Sequence, residues 1–221
     1  VEAHGPHSPL STDLIISEGI CARATSRLDG DPEVRVLTLP AIPYAVTRYA
    51  AAFPGTISIT DATLRALLTD ICTSLAAQGF LRVIVVNNHF EPDHVTAIRR
   101  TVDALQADGI RTEYLNLLSR DNVNRLTEEF RSGSCHAGRY ETSLVLADRP
   151  TLVDTDTMHT LEPHFVDMPT EMRSGNTTFA DMGMEDAYCG TPAEATAEEG
   201  HATFDTLTAM LITKIRALAK D

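Results

Sequence analysis

The sequence contains no tryptophan, and basic residues are scarce: 18 Lys and Arg stand against 31 Asp and Glu, for a formal net charge of −13. That balance argues against a general nucleic-acid binder, which needs a basic face to displace phosphate counterions. Long apolar runs are missing too. The longest strand-like run is Val83 to Val86, far short of the ~20 residues of a membrane span, so no membrane is expected. Cysteine is sparse and scattered. Cys21, Cys72, Cys135 and Cys189 form no C-x-x-C, which fits a reducing cytoplasm better than a disulfide framework. The first residues lack the basic start and apolar core of a signal peptide. The chain opens on Val1 without Met, and the expectation is of a trimmed start.

What is present is an ordinary globular composition, 43% hydrophobic and 22% charged over 221 residues. A chain of this length buries about 70% of its unfolded surface, and one domain over 1–221 is expected. Strand and helix signals alternate. A helix begins at Ser11-Thr12-Asp13 and ends near Gly30; a strand is expected at Val34–Leu39 and a short one at Thr56–Ile59. Thr60 and Asp61 start a helix that runs to Gly79, with Leu64, Leu67, Leu68, Ile71, Cys72 and Leu75 in helical period. Arg82–Val86 is a β-branched run of the kind buried in a parallel sheet. A helix over about 94–108, a strand at Thr112–Leu117, helices near 122–131 and 138–148 and a last one over about 193–219 follow. Residues 149–190 have no clean period and read as a long functional loop or lid. The fold class implied is α/β, a sandwich around a mostly parallel sheet.

Two acidic-His pairs stand out. Glu2-x-His4 lies in a turn-rich opening, and His89-x-Glu91 follows the most buried-looking strand. In extended chain, residues two apart point the same way, so each pair can aim an imidazole and a carboxylate at one point. Sites in open α/β sheets form beyond the carboxyl ends of strands. Asp13 adds a carboxylate at a helix start, where an N-cap role is the plainer reading. Two His and three carboxylates without Cys suit Zn, Mn or Fe. Five such ligands are too many for one catalytic ion with an open position, and about right for two ions sharing a carboxylate and a water.

Longer blocks carry a resemblance. Val1 to Asp13 (VEAHGPHSPLSTD), Gly55-Thr56-Ile57-Ser58, Val86 to Glu91 (VNNHFE), His136 to Ser143 (HAGRYETS), and Gly190-Thr191-Pro192 with Ala195-Thr196 and Glu198-Glu199-Gly200 together resemble, in order and over nearly the whole chain, the creatininase family of creatinine amidohydrolase-like metal hydrolases. The resemblance implies a three-layer α/β/α sandwich, a strand ahead of Glu2 that this chain does not show, and a homo-oligomer, often a hexamer. It implies two divalent ions, one held by Glu2, Asp13 and His89 and the other by His4, Asp13 and Glu91. His136 would handle protons, with Glu91 catalytic as well as a ligand. Glu141 would orient a neighbour, and Phe90, Glu141 and His94 would face a small-molecule substrate.

The implied activity is hydrolysis of a carbon–nitrogen bond, other than a peptide bond, in a small and possibly cyclic amide. Two cations would activate a shared water, and His136 would protonate the leaving nitrogen. Creatinine itself is disfavoured: family members that act on it line the pocket with Trp, whereas this chain has none, and Ser132 stands four residues before His136. A ring-opening C–C hydrolase or a sugar-type isomerase on the same two-metal site is the alternative. A metal-free binding protein is a third reading, and retention of every ligand-type residue weighs against it. His7 reads as structural, His159, His164 and His201 as surface residues, Met168, Met172, Met182 and Met184 as lid packing, and Cys135 as a bystander to His136.

Overall fold

The computed structural model describes residues 1–220. In chain order the elements are α1 (Thr12–Arg27), α2 (Asp61–Ala77), β1 (Arg82–Val85), α3 (Pro92–Ala107), β2 (Arg111–Tyr114), α4 (Arg120–Val123), α5 (Glu128–Ser132), α6 (Arg139–Asp148), α7 (Thr155–Met158), α8 (Met168–Arg173) and α9 (Ala197–Lys220). Local chemistry explains the starts. Thr60 accepts a hydrogen bond from Thr63 N and caps α2, whose Leu64, Leu68 and Cys72 recur every four residues on one buried stripe. Pro92 occupies the first turn of α3, where its missing N–H costs nothing, and Val95, Ile98, Val102 and Leu105 form the buried face.

β1 and β2 pair in parallel, Arg82 with Arg111 through Val85 with Tyr114, and α3 is the crossover between them. The two faces of this ribbon are covered by different helices. Ile84 and the following Val86 pack with Ile16 and Ile20 of α1, Leu144 of α6, and Phe204, Leu207 and Leu211 of α9. Val85 and Tyr114 pack with Leu64 and Leu68 of α2 and Val95, Ile98 and Val102 of α3. The result is an α/β arrangement with helices on both sides of a parallel sheet, as expected from the alternating signals.

The sheet is narrower than the sequence pattern suggests. Val34–Leu39 has no regular secondary structure and forms no ladder, and its Leu37 is 68% exposed. Alternation marks which face of a strand is apolar but supplies no partner, and a strand exists only by pairing. The free edge of β1 instead faces a groove of about 750 Å³, lined by Val1, Val34 to Ala45, Val83 and Val85 and by apolar side chains of α2 and α9. Thr56–Ile59 contributes one parallel bridge, Ala45 with Ser58, and Ile57 N donates to Val1 O.

Three further expectations are corrected. The helix near 122–131 is two short helices, because Thr127 caps a new start by accepting from Phe130 N. The last helix begins at Ala197, after a 3-10 turn at Pro192–Glu194. Residues 149–190 are not a loose loop. They hold α7 and α8, and His164 bridges Gly190. Their Val166, Phe179, Met182, Met184, Ala187 and Cys189 share an apolar cluster with Ala3 and Ala50. Among the described residues, no helix is long and apolar enough to cross a membrane.

α6 and α9 cross closely at Gly200. A methyl group there would overlap the Ser143 carbonyl oxygen and carbon, backbone atoms that cannot rotate away. Alanine favours a helix over glycine by about 1 kcal/mol, but forced overpacking costs about 1–3 kcal/mol or more, and the clash wins. Gly200→Ala is expected to lower stability by about 2 kcal/mol in urea denaturation. An unchanged or raised midpoint would contradict this packing.

Candidate metal centre

Four parts of the chain meet beyond the carboxyl end of β1. The opening segment is pinned by Glu2 N to Leu10 O, Ala3 N to Thr56 Oγ1 and Gly5 N to Ala187 O, which fixes Glu2 and His4. Asp13 projects from the first turn of α1. His89 sits in the loop after β1, held by Asn87, whose Nδ2 donates to His89 O and whose Oδ1 accepts from His89 N. Glu141 comes from the first turn of α6. Glu2, His4, His89 and Glu141 are buried, and Asp13 is half-buried.

Their ligand-type atoms cluster into overlapping groups, each with all atoms within 4.8 Å: Glu2, Asp13 and His89; His4, Asp13 and Glu141; and Glu2, His4 and His136. Asp13 belongs to the first two. Its two oxygens lie 3.3 Å from His89 Nδ1 and 3.5 Å from His4 Nε2. Both imidazoles are oriented from behind. His4 Nδ1–H donates to Glu2 O at 3.0 Å, and His89 Nε2–H donates to Val46 O at 2.8 Å. With that nitrogen satisfied by a carbonyl, the other faces the carboxylates, the arrangement of a metal-ligating histidine.

The electrostatics need a compensating positive charge. Burial works against the charged form of His4, yet Asp13, Glu141 and Glu2 overcome it and raise its pKa to about 10. His89 is likewise raised well above its usual value, the carboxylates of Glu2 and Asp13 outweighing burial. Burial would push Glu2 up, but His89 pulls it down to about 2. Glu141 is pushed up to about 8, chiefly by burial. With no cation present, protons on the histidines and on Glu141 therefore balance the buried charge. A divalent ion would replace them.

Orphaned atoms supply the test of fit. Glu2 Oε2 and His4 Nε2 are buried without a hydrogen-bond partner, although Glu2 Oε2 approaches His89 Nδ1 to 2.7 Å. Imidazole nitrogens and carboxylate oxygens that converge this closely in a buried site are placed as ligands are. Two imidazoles and three carboxylates form a nitrogen–oxygen set suited to Zn or Mn.

The remaining sequence candidates fall into different roles. Glu91 joins none of the ligand groups among the described residues. Its Oε2 accepts from Arg48 N at 2.6 Å and Tyr49 N at 3.2 Å, two backbone donors that hold the carboxylate toward that segment. Glu141 stands in the ligand cluster instead, 3.6 Å from His4 Nε2, with its Oε2 accepting from Ala137 N. The signal for it was the H-A-G-x-x-E spacing, which puts a carboxylate in the first turn of a helix just after His136.

Phe90 is partly buried, edge-on to Phe130, and His94 is buried with its ring 4.9 Å from that of His89, where both histidines border the groove beside β1. His94 Nε2–H donates to Asn87 Oδ1 and its Nδ1 accepts from Val46 N, while burial lowers its pKa to about 3. His136 lies with its ring 4.4 Å from that of His4 and 4.5 Å from that of Phe179, and its Nε2–H donates to Ala3 O. Burial, with the charge of His4 adding, lowers it to about 4. Tyr49 and Phe53 flank Phe179 and extend an aromatic wall beside His136. His7 is structural, its Nε2 bonded to Thr142 Oγ1.

The profile of the creatininase family, described as creatinine amidohydrolase, matches residues 1–215. The chain belongs to the creatininase family. A Mycobacterium tuberculosis protein named mycofactocin precursor peptide peptidase is 31% identical to this creatininase-family chain over 209 residues, covering 92% of it and 76% of the relative. A creatinine amidohydrolase of Pseudomonas putida is 30% identical over 172 residues, 71% of this chain and 64% of that protein. Among solved structures, one described as a creatinine amidohydrolase from Bacteroides fragilis superposes with a TM-score of 0.77 at 22% identity, over 100% of this chain and 87% of that one. A Mn creatininase gives 0.71 at 23%, over 98% and 86%. At such identities the structural likeness speaks for the creatininase fold.

Proton linkage offers a direct check on the centre. His4, with its pKa near 10, carries a proton at neutral pH and must lose it to bind a cation. Titrating Zn²⁺ or Mn²⁺ into chelator-stripped protein is expected to release protons, with affinity rising between about pH 6 and pH 8. Calorimetry in buffers of different ionisation enthalpy reads this release. Affinity independent of pH over that range would contradict it.

Proposed function

We propose that this creatininase-family hydrolase holds two divalent cations, one on Glu2, Asp13 and His89 and one on His4, Asp13 and Glu141, and uses them to hydrolyse an amide carbon–nitrogen bond. The observation that carries the reading is the pair of three-residue groups sharing Asp13. Such cations, when bound, lower the pKa of water toward neutrality and polarise a carbonyl.

The chain's own residues supply the rest. His136 is neutral at working pH, and its Nε2–H is tied to Ala3 O. Its Nδ1 is therefore the nitrogen free to take up a proton and pass it to the leaving nitrogen. Glu91 is held by Arg48 N and Tyr49 N beside His89, and burial raises its pKa. In its ionised form a carboxylate so placed accepts a proton from the attacking water without joining the ligand cluster. Phe179, Tyr49 and Phe53 give the site an apolar side that keeps water from His136.

The relatives named above act, by their names, on a peptide and on creatinine, and both bonds broken are of the amide type. With Phe179 and Tyr49 as the aromatic wall and no Trp in the chain, we assign the substrate to amides other than creatinine, with short peptides now standing beside cyclic amides. Metal-loaded protein assayed against short peptides, lactams and creatinine is expected to cleave a member of the first two classes. His136→Ala should lose about 10²-fold or more in kcat while keeping its metal. Asp13→Ala should lose metal and activity together. Full activity in either variant would overturn the assignment.

A further inference from the structure

We infer that Glu129, a residue of α5 outside the ligand cluster, is a positioning residue that sets the metal-facing geometry of His136 and Glu141. Its carboxylate is the point around which two segments wrap. Oε2 accepts from Tyr140 N at 2.6 Å, and Oε1 accepts from Arg139 N at 3.0 Å and from Thr191 N at 2.8 Å. The first two donors are orphan N–H groups at the start of α6, where the N-cap residue is Gly138 and has no side chain to offer. A carboxylate at a helix N-terminus is favourable both as an acceptor and toward the helix dipole.

The two glycines beside Glu129 show how tightly it is enclosed. A Cβ on Gly138 would stand 2.8 and 2.9 Å from the two carboxylate oxygens and 2.5 Å from Cys189 O. On Gly190, whose φ is +92°, it would overlap Glu129 Oε1 and lie 2.6 Å from Ser134 O. The backbone can approach the carboxylate this closely only without side chains at both positions.

From this clasp the connection to the metal centre is short. Cys189 N donates to His136 O at 2.8 Å, joining the two wrapped segments at the histidine itself. Ala137, between His136 and the capped helix, adopts a φ of +49°, a conformation that non-glycine residues rarely take and that needs its surroundings to hold it. In that conformation Ala137 N donates to Glu141 Oε2 at 2.7 Å. Loss of an acceptor at Glu129 frees the start of α6, relaxes Ala137 and turns the Glu141 carboxylate.

The inference rests on the proposed metal centre, and the test separates the two. Co²⁺ is titrated into chelator-stripped wild type, Glu129→Gln and Leu105→Ala, following the visible absorption of the bound ion. Glu129→Gln replaces one acceptor by a donor that faces backbone N–H groups. Leu105→Ala removes a core side chain of α3 packed with Cys72 and Ile110 and controls for general destabilisation. Wild type and Leu105→Ala are expected to share one spectrum and one affinity, and Glu129→Gln to bind about tenfold or more weakly with a changed spectrum. Should Glu129→Gln fail to fold, Glu129→Asp, which keeps both oxygens but draws them back, is judged on the same criterion. Wild-type Co²⁺ affinity and spectrum in the folded Glu129 variant would overturn the inference, as would an equal loss in Leu105→Ala. Failure of wild type itself to bind Co²⁺ would instead overturn the metal centre.

Discussion

The structure depends on how buried negative charge is accommodated. Glu2, Asp13 and Glu141 converge on a site made by the opening segment and the first turns of two helices, with His4 and His89 among them. Carboxylates this close repel one another and resist leaving water. Protons on the histidines and on Glu141, or bound metal in their place, make the arrangement stable. The surrounding scaffold can be understood as holding those five side chains against that repulsion.

The scaffold does this chiefly with backbone atoms. Val46 is the clearest case: its carbonyl accepts from His89 and its N–H donates to His94, while Arg48 and Tyr49 just after it grip Glu91. The Glu2 and Ala3 carbonyls do the same for His4 and His136. Main-chain partners have no rotamers to lose, so they fix ring orientation at low entropic cost. The region over 149–190 closes the far side with Phe179 against His136, and its burial with Ala3 and Ala50 makes it part of the site's wall.

Much of this was legible in the sequence. The mirrored pairs Glu2-x-His4 and His89-x-Glu91 with Asp13 named four of the five clustered residues, because ligand chemistry restricts which side chains can meet at a cation. The fifth clustered residue is Glu141, where the pairs pointed to Glu91. Glu91 stays near His89, but it is the N-cap residue of α3 and its Oε2 is taken by the 48–49 backbone. Glu141 lay in a recognisable helix start, yet which way its carboxylate turns depends on Ala137 and on Glu129, which no local pattern reveals. For the fold, α2 and α3 were clear because capping and helical period agree within one segment. Val34–Leu39 was misread because strand formation depends on a neighbour. The break between α4 and α5 was hidden because Thr127 is an interior residue in one reading and a cap in the other.

The most direct test of the two-cation centre is metal stoichiometry. Protein equilibrated with Zn²⁺ or Mn²⁺, freed of excess ion and analysed by mass spectrometry of the elements should carry two ions per chain, since Asp13 offers one oxygen to each three-residue group. A folded protein that retains one ion or none under those conditions would contradict the account.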